Sequence, residues 1–151
     1  MDVQLVNPFL AALLTILPQL GFKNVARGKV FTKDQYIDAL GVTVNITLTN
    51  QISGNVVFNM TEETAKGLSS TIMMGAAVTS LDDIAKSAIC EMGNMIASSA
   101  VNNLSKNGIA VKLGPPALAQ SNSKIKICDS NFIGIEMIAD ELKFEMQIGV
   151  N

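Results

Sequence analysis

The chain has 151 residues, of which 48% are hydrophobic and only 16% charged, with a net charge of −2 and no histidine. That length makes one domain able to bury a sizeable core, and so little charge argues against disorder and hints at surface covered by a partner or a second copy. The missing histidines remove Ser-His-Asp and Cys-His nucleophile activation, imidazole acid–base chemistry and most zinc sites; there is no basic block for nucleic acid, and no Gly-rich phosphate loop.

The most apolar run, Pro8 to Leu20, is too short for the ~20 residues of a membrane span and lacks the positive flank of a signal peptide. It reads as a core helix of a cytoplasmic protein. A turn around Arg27-Gly28 leads to two strand-like runs, Tyr36 to Asn50 and Ser53 to Met60. Val42, Val44, Ile46 and Leu48 alternate with Thr43, Asn45, Thr47 and Thr49, the pattern of a strand with one buried face. The turn-like residues Asn50 to Gly54 close a hairpin. Thr61 to Gly75 reads as a helix with Thr61 as N-cap, Glu62 and Glu63 in the first turn and Gly75 as stop. A longer helix follows, capped by Ser80, with Asp82 and Asp83 in its first turn, running to about Asn107 and stopped by Gly108. Leu113-Gly-Pro-Pro116 breaks any helix, and two more strand-like runs follow, Lys124 to Ala139 and Leu142 to Val150, with Asp140-Glu141 as their turn.

The order is helix, strand pair, helix, helix, strand pair. It predicts an α+β fold with long helices on one face of a largely antiparallel sheet. Placing Gln4 over Glu91 without a gap also sets Asn7 on Asn94, Leu17 on Leu104, Gly21 on Gly108 and Phe22 on Ile109. The single domain, 1–151, thus reads as two pseudo-repeated halves, about 1–60 and 80–151. Cys90 and Cys128 read as buried free thiols rather than a disulfide.

In the longer helix, Leu81, Ile84, Ala88, Met92, Met95, Ile96 and Leu104 fall mostly on one side. Ser87, Glu91, Asn94 and Ser98, spaced four, three and four apart, form a continuous polar stripe. Its neighbours are slim (Ala88, Gly93, Ala97), which suits close approach by another backbone. A solvated face is the competing explanation, but such faces favour Lys, Arg and Glu over Ser, Gly and Asn. The pairs Asp82-Asp83 and Glu62-Glu63 fit helix-start electrostatics. Lys124 and Lys126 fit a solvated face or an edge guard, and Met73, Met74, Met92 and Met95 fit core filling. Cys90 has no base near it in sequence to activate it.

With Ser-x-x-x-Glu-x-x-Asn at Ser87, Glu91 and Asn94, prolines at 115–116 and the two-half plan, the chain resembles the CheC/CheX/FliY family of bacterial chemotaxis phosphatases over essentially its whole length. Length and the single intact motif fit the CheX branch. The resemblance implies removal of the phosphoryl group from the aspartyl phosphate of a CheY-like response regulator. Asn94 would orient the attacking water, and Glu91 would pair with the partner's active-site lysine. The protein would need no cofactor of its own, with Mg²⁺ expected in the response regulator, and would be a homodimer. Ser87 receives no catalytic role. In the first half the matching residues are Gln4 and Asn7. Gln4 cannot form a salt bridge, and Asn7, near a helix start, reads as a cap, so one active centre per chain is expected, on the second long helix. The alternative is a non-catalytic module that binds response regulators, or a flagellar-switch-type adaptor, since a fold does not fix its function.

Overall fold

The computed structural model describes residues 3–151. In chain order the elements are α1 (Val3–Gln19), β1 (Val25–Asp38), β2 (Gly41–Asn50), β3 (Gly54–Met60), α2 (Glu62–Ile72), α3 (Asp83–Lys106), β4 (Val111–Leu113), β5 (Ala117–Ser121), β6 (Lys124–Ala139) and β7 (Leu142–Val150). The seven strands form one sheet in the order β1-β6-β7-β3-β2-β4, with β5 also on β2, and every pairing is antiparallel. β1 pairs with β6 as β5 pairs with β2. Exchanging β1, β2 and β3 with β5, β6 and β7 therefore leaves the order β1-β6-β7-β3-β2-β5 unchanged.

The alternating strands lie where their pattern predicts. Val42, Val44, Ile46 and Leu48 of β2 join Val56, Phe58 and Met60 of β3 and Phe144, Met146 and Ile148 of β7 on one face. Residues from all three helices pack on that face, among them Leu13 and Leu17 of α1, Ala65 and Leu68 of α2, and Ile89 and Ile96 of α3. The architecture is thus α+β, with the helices on one side of the sheet. On the other side a smaller cluster, Ile37, Val57, Ile127, Cys128 and Phe132, forms with the far ends of β1 and β6. Both cysteines are free; Cys128 is buried and Cys90 half-buried.

Three local expectations are corrected. Arg27-Gly28 is not a turn but part of the 14-residue strand β1, at a register shift in its pairing with β6. Glycine in a strand often marks such a bulge. The run from Tyr36 to Asn50 is not one strand, because β1 ends at Asp38 and β2 begins at Gly41. The Asn59 side chain ties that corner: its Oδ1 accepts from Leu40 N (3.0 Å) and its Nδ2 donates to the Asp38 carbonyl (3.0 Å). Finally, β4 and β5 fill the stretch beside the prolines, so each half supplies more than a strand pair.

The predicted turn between the last two strands is present. Asp140 and Glu141 both have positive φ (47° and 73°) and link β6 to β7. The Asp140 carboxylate also accepts from Lys23 N (3.1 Å) and Asn24 N (2.7 Å), which pins the α1–β1 loop to the far end of the sheet.

Candidate functional site

The candidate site is the outer face of α3. The helix starts at Asp82, not Ser80: the Asp82 carboxylate accepts from Ala85 N at 2.9 Å, and Asp83 occupies the first turn. A carboxylate serves there both as a cap and against the helix dipole. Ser69 of α2 donates its hydroxyl to the Ala85 carbonyl at 3.0 Å, fixing the first turn of α3 to its neighbour. The helix ends at Lys106 with Asn107 as C-cap, and Gly108 follows with φ +83°.

The buried face of α3 is Ala85, Ile89, Met92, Gly93, Ile96, Ala97, Ala100 and Leu104. This rotates the helix relative to the sequence expectation. Ile84, placed on the apolar side, is 66% exposed. Gly93, read as part of an open slim face, is buried. A Cβ built on it would lie 3.2 Å from Cε2 and 3.3 Å from Cδ2 of Phe58, and 3.5 Å from Cγ1 of Val44. The glycine lets the helix rest directly on β2 and β3.

Glu91 is two residues from Gly93, about 200° around the helix, so it points away from the sheet. Ser87 and Glu91 are exposed, and Asn94 and Ser98 are half-buried on the same side. The structure brings Glu91 and Asn94 together on one face, one turn apart, where i,i+3 Cβ atoms lie about 5–6 Å from each other. Among the described residues neither side chain has a hydrogen-bond or ion-pair partner. The carboxylate and the amide therefore remain available to a group outside the chain. Cys90 sits beside them; partial burial raises its thiol above the ordinary value, which lowers its thiolate fraction.

On α1, Gln4 and Asn7 are exposed in the matching positions. Asn7 is not a cap: the helix already runs from Val3, so Asn7 lies inside it. Together with Pro8 and Ala11 they border an open cleft of about 590 Å³ whose other wall is Leu104, Asn107 and Ile109. The cleft therefore lies where the first turns of α1 meet the end of α3 away from Asp82. Hydropathy did not reveal this cleft, since its walls come from residues about a hundred positions apart. Among the described residues no group of three or more His, Cys, Asp or Glu side chains could hold a metal ion, and no helix is long and apolar enough to cross a membrane.

The fold is thus a helix laid on an antiparallel sheet, with an acid and an amide on its outward face that have no partner among the described residues. Comparison with known proteins makes this specific. Residues 42–136 match the model of the family described as chemotaxis phosphatase CheX. The chain is 31% identical over 128 residues to the CheY-P phosphatase CheX of Thermotoga maritima, covering 83% of this chain and 82% of that protein. A CheC-like superfamily protein from Shewanella sp. PV-4 superposes with a TM-score of 0.88 at 23% identity, covering 100% of this chain and 99% of the other. The CheX-CheY-BeF3-Mg²⁺ complex from Borrelia burgdorferi superposes with a TM-score of 0.76 at 24% identity, covering 97% of each chain. The chain belongs to the CheX family of chemotaxis phosphatases.

Proposed function

We propose that this protein hydrolyses the aspartyl phosphate of a CheY-like response regulator and so ends a chemotaxis or related two-component signal. One observation carries the proposal: Glu91 and Asn94 stand one turn apart on the outward face of α3 with no partner among the described residues. Family membership and the activity named for the Thermotoga maritima relative support it.

The chemistry follows from these two side chains. Phosphoryl transfer through a loose transition state requires positioning and electrostatics more than covalent help. The Asn94 side-chain carbonyl accepts a hydrogen from a water and holds its oxygen in line with phosphorus. As that oxygen bonds to phosphorus, the bond to the receiver's aspartate breaks, releasing the carboxylate and inorganic phosphate. Glu91 forms a charge-assisted hydrogen bond with the receiver's lysine and so fixes where Asn94 points. Neither role needs a group that titrates near neutrality, which suits a chain with no histidine. The Mg²⁺ that neutralises phosphate charge is assigned to the receiver.

Gln4 and Asn7 lack the acid, so the proposal places one active centre in each chain. Two copies are proposed to associate along an edge of the sheet, leaving α3 open. β1 is an edge strand, paired only with β6, and Val30 and Tyr36 on it are 50% and 48% exposed. A cytoplasmic location goes with this partner. The test is phosphate release from a phosphorylated CheY-like receiver with and without the protein. Acceleration over the receiver's own decay is the expected result. No acceleration over a panel of the host's receivers would leave the non-catalytic binding module as the function.

A further inference from the structure

We infer that Ile84 is the apolar anchor through which the α3 face docks its receiver domain, separate from the groups that act on the phosphate. This inference rests on the proposed phosphatase function. Ile84 lies seven residues before Glu91, which on a helix is about 10 Å along the axis and only ~20° around it. It therefore continues the line Ser87–Glu91–Asn94 at its N-terminal end. A single exposed apolar residue is ordinary on a protein surface. The position and support of this one are what distinguish it.

Its side chain is 66% exposed, while the residue that follows, Ala85, is fully buried. The backbone of Ala85 is held from both sides: its N–H donates to the Asp82 carboxylate at 2.9 Å, and its carbonyl accepts from the Ser69 hydroxyl at 3.0 Å. Ile84 is thus presented from a rigid turn, so little ordering entropy is lost when it is covered. A β-branched residue is also a poor choice for an exposed helix position on propensity alone.

The occupant follows from the same geometry. Anything that covers Ile84 also lies over Glu91, about two turns away on the same face. A second copy seated there would block the site, whereas the substrate protein must approach this face in any case. The other exposed apolar side chains near the β1 edge, Val30, Tyr36 and Leu40, are available for contacts between copies. Ile84 is left for an apolar spot on the receiver beside its phosphoaspartate.

The experiment compares wild type, Ile84→Ser, the milder Ile84→Ala, and Leu14→Ser, a control at a 45% exposed leucine on α1. Two quantities are measured: the Kd for a CheY-like receiver saturated with Mg²⁺ and beryllofluoride, and KM and kcat with the phosphorylated receiver. Burial of an isoleucine predicts a roughly tenfold rise in Kd and KM for Ile84→Ser, less for Ile84→Ala, and kcat within about twofold of wild type. Leu14→Ser is expected to match wild type. Unchanged Kd and KM in both Ile84 variants, with wild type active, would overturn the anchor and leave the phosphatase standing. A change confined to the oligomeric state of Ile84→Ser in sedimentation would overturn the anchor equally. Binding that weakens in the variants although wild type releases no phosphate would support the anchor and overturn the phosphatase. No binding of wild type to any of the host's receivers would overturn both.

Discussion

Gly93 lies against the ring of Phe58, close enough that a Cβ on it would come within 3.2 Å of Cε2. Two residues earlier, on the opposite side of the helix, Glu91 faces outward. The contact below therefore sets the height and rotation at which the face carrying Glu91 and Asn94 is held above. Gly93→Leu is expected to overpack this contact at a cost near the upper end of the usual range, about 3 kcal/mol, which outweighs the ~1 kcal/mol gained by removing glycine from a helix interior. Urea unfolding should show a lower midpoint at unchanged slope, and phosphatase activity should fall with it because α3 is lifted and Asn94 is displaced.

A second prediction concerns Asp140. Its carboxylate holds the backbone N–H groups of Lys23 and Asn24, and its own φ is +47°. Asp140→Ala removes a charged acceptor from two donors and places a residue less tolerant of the left-handed region there, for a loss of about 3 kcal/mol. Asp140→Asn keeps one acceptor and the backbone tolerance, and should lose roughly half as much. Thermal unfolding of the two variants gives the comparison. Phosphatase activity under folding conditions should be unaffected, since the turn does not support α3.

Glu91→Gln preserves shape and removes charge. If Glu91 pairs with the receiver's lysine, kcat/KM should fall about 10- to 100-fold, the equivalent of about 1.5–3 kcal/mol for a charge-assisted hydrogen bond. Wild-type KM should rise with added salt while that of the Gln variant changes less, because exposed charge pairs are screened. Equal salt dependence in the two proteins would remove the ion pair from the mechanism.

The Cys90 thiol is raised from its ordinary value of 9.0 by partial burial. Less thiolate is present at a given pH, so alkylation by iodoacetamide at pH 8 should be slower in the folded protein than in urea. The folded state holds this proton more tightly than the unfolded chain. The contribution of Cys90 to stability is thus unaffected well below pH 9 and falls as pH rises through the thiol's titration range. Cys90→Ala should flatten that alkaline loss.

The fold was legible wherever a segment has one buried face. β2 and β7 show it as alternation of apolar and polar residues, although the second face is also partly covered, with Thr43 and Gln147 buried, and Asn50 and Asp140 in their turns are residues that tolerate positive φ. β1 was not legible. Of its 14 residues only Ile37 is buried, because it is an edge strand paired on one side and largely exposed on its faces. Charges such as Lys29, Lys33 and Asp34 guard that edge and erase the period-two signal. On α3 the spacing of Glu91 and Asn94 was visible, but the rotation of the helix was not. Half of its buried positions are Ala85, Gly93, Ala97 and Ala100, which carry little hydropathy signal, so Ile84 was drawn to the apolar side. Small residues mark the place where the helix comes closest to the sheet, and that proximity becomes visible only with Phe58 and Val44 in position.

The central claim is that the Asn94 amide positions the water that attacks the phosphoryl group. The most direct measurement is phosphate release from a phosphorylated CheY-like receiver by wild type and Asn94→Ala, with the affinity of each for the beryllofluoride-loaded receiver measured alongside. The expected result is acceleration by wild type, abolished to within the receiver's own decay by Asn94→Ala, with affinity changed by less than about threefold. Acceleration that survives in Asn94→Ala would contradict the claim and move the catalytic group elsewhere on the chain.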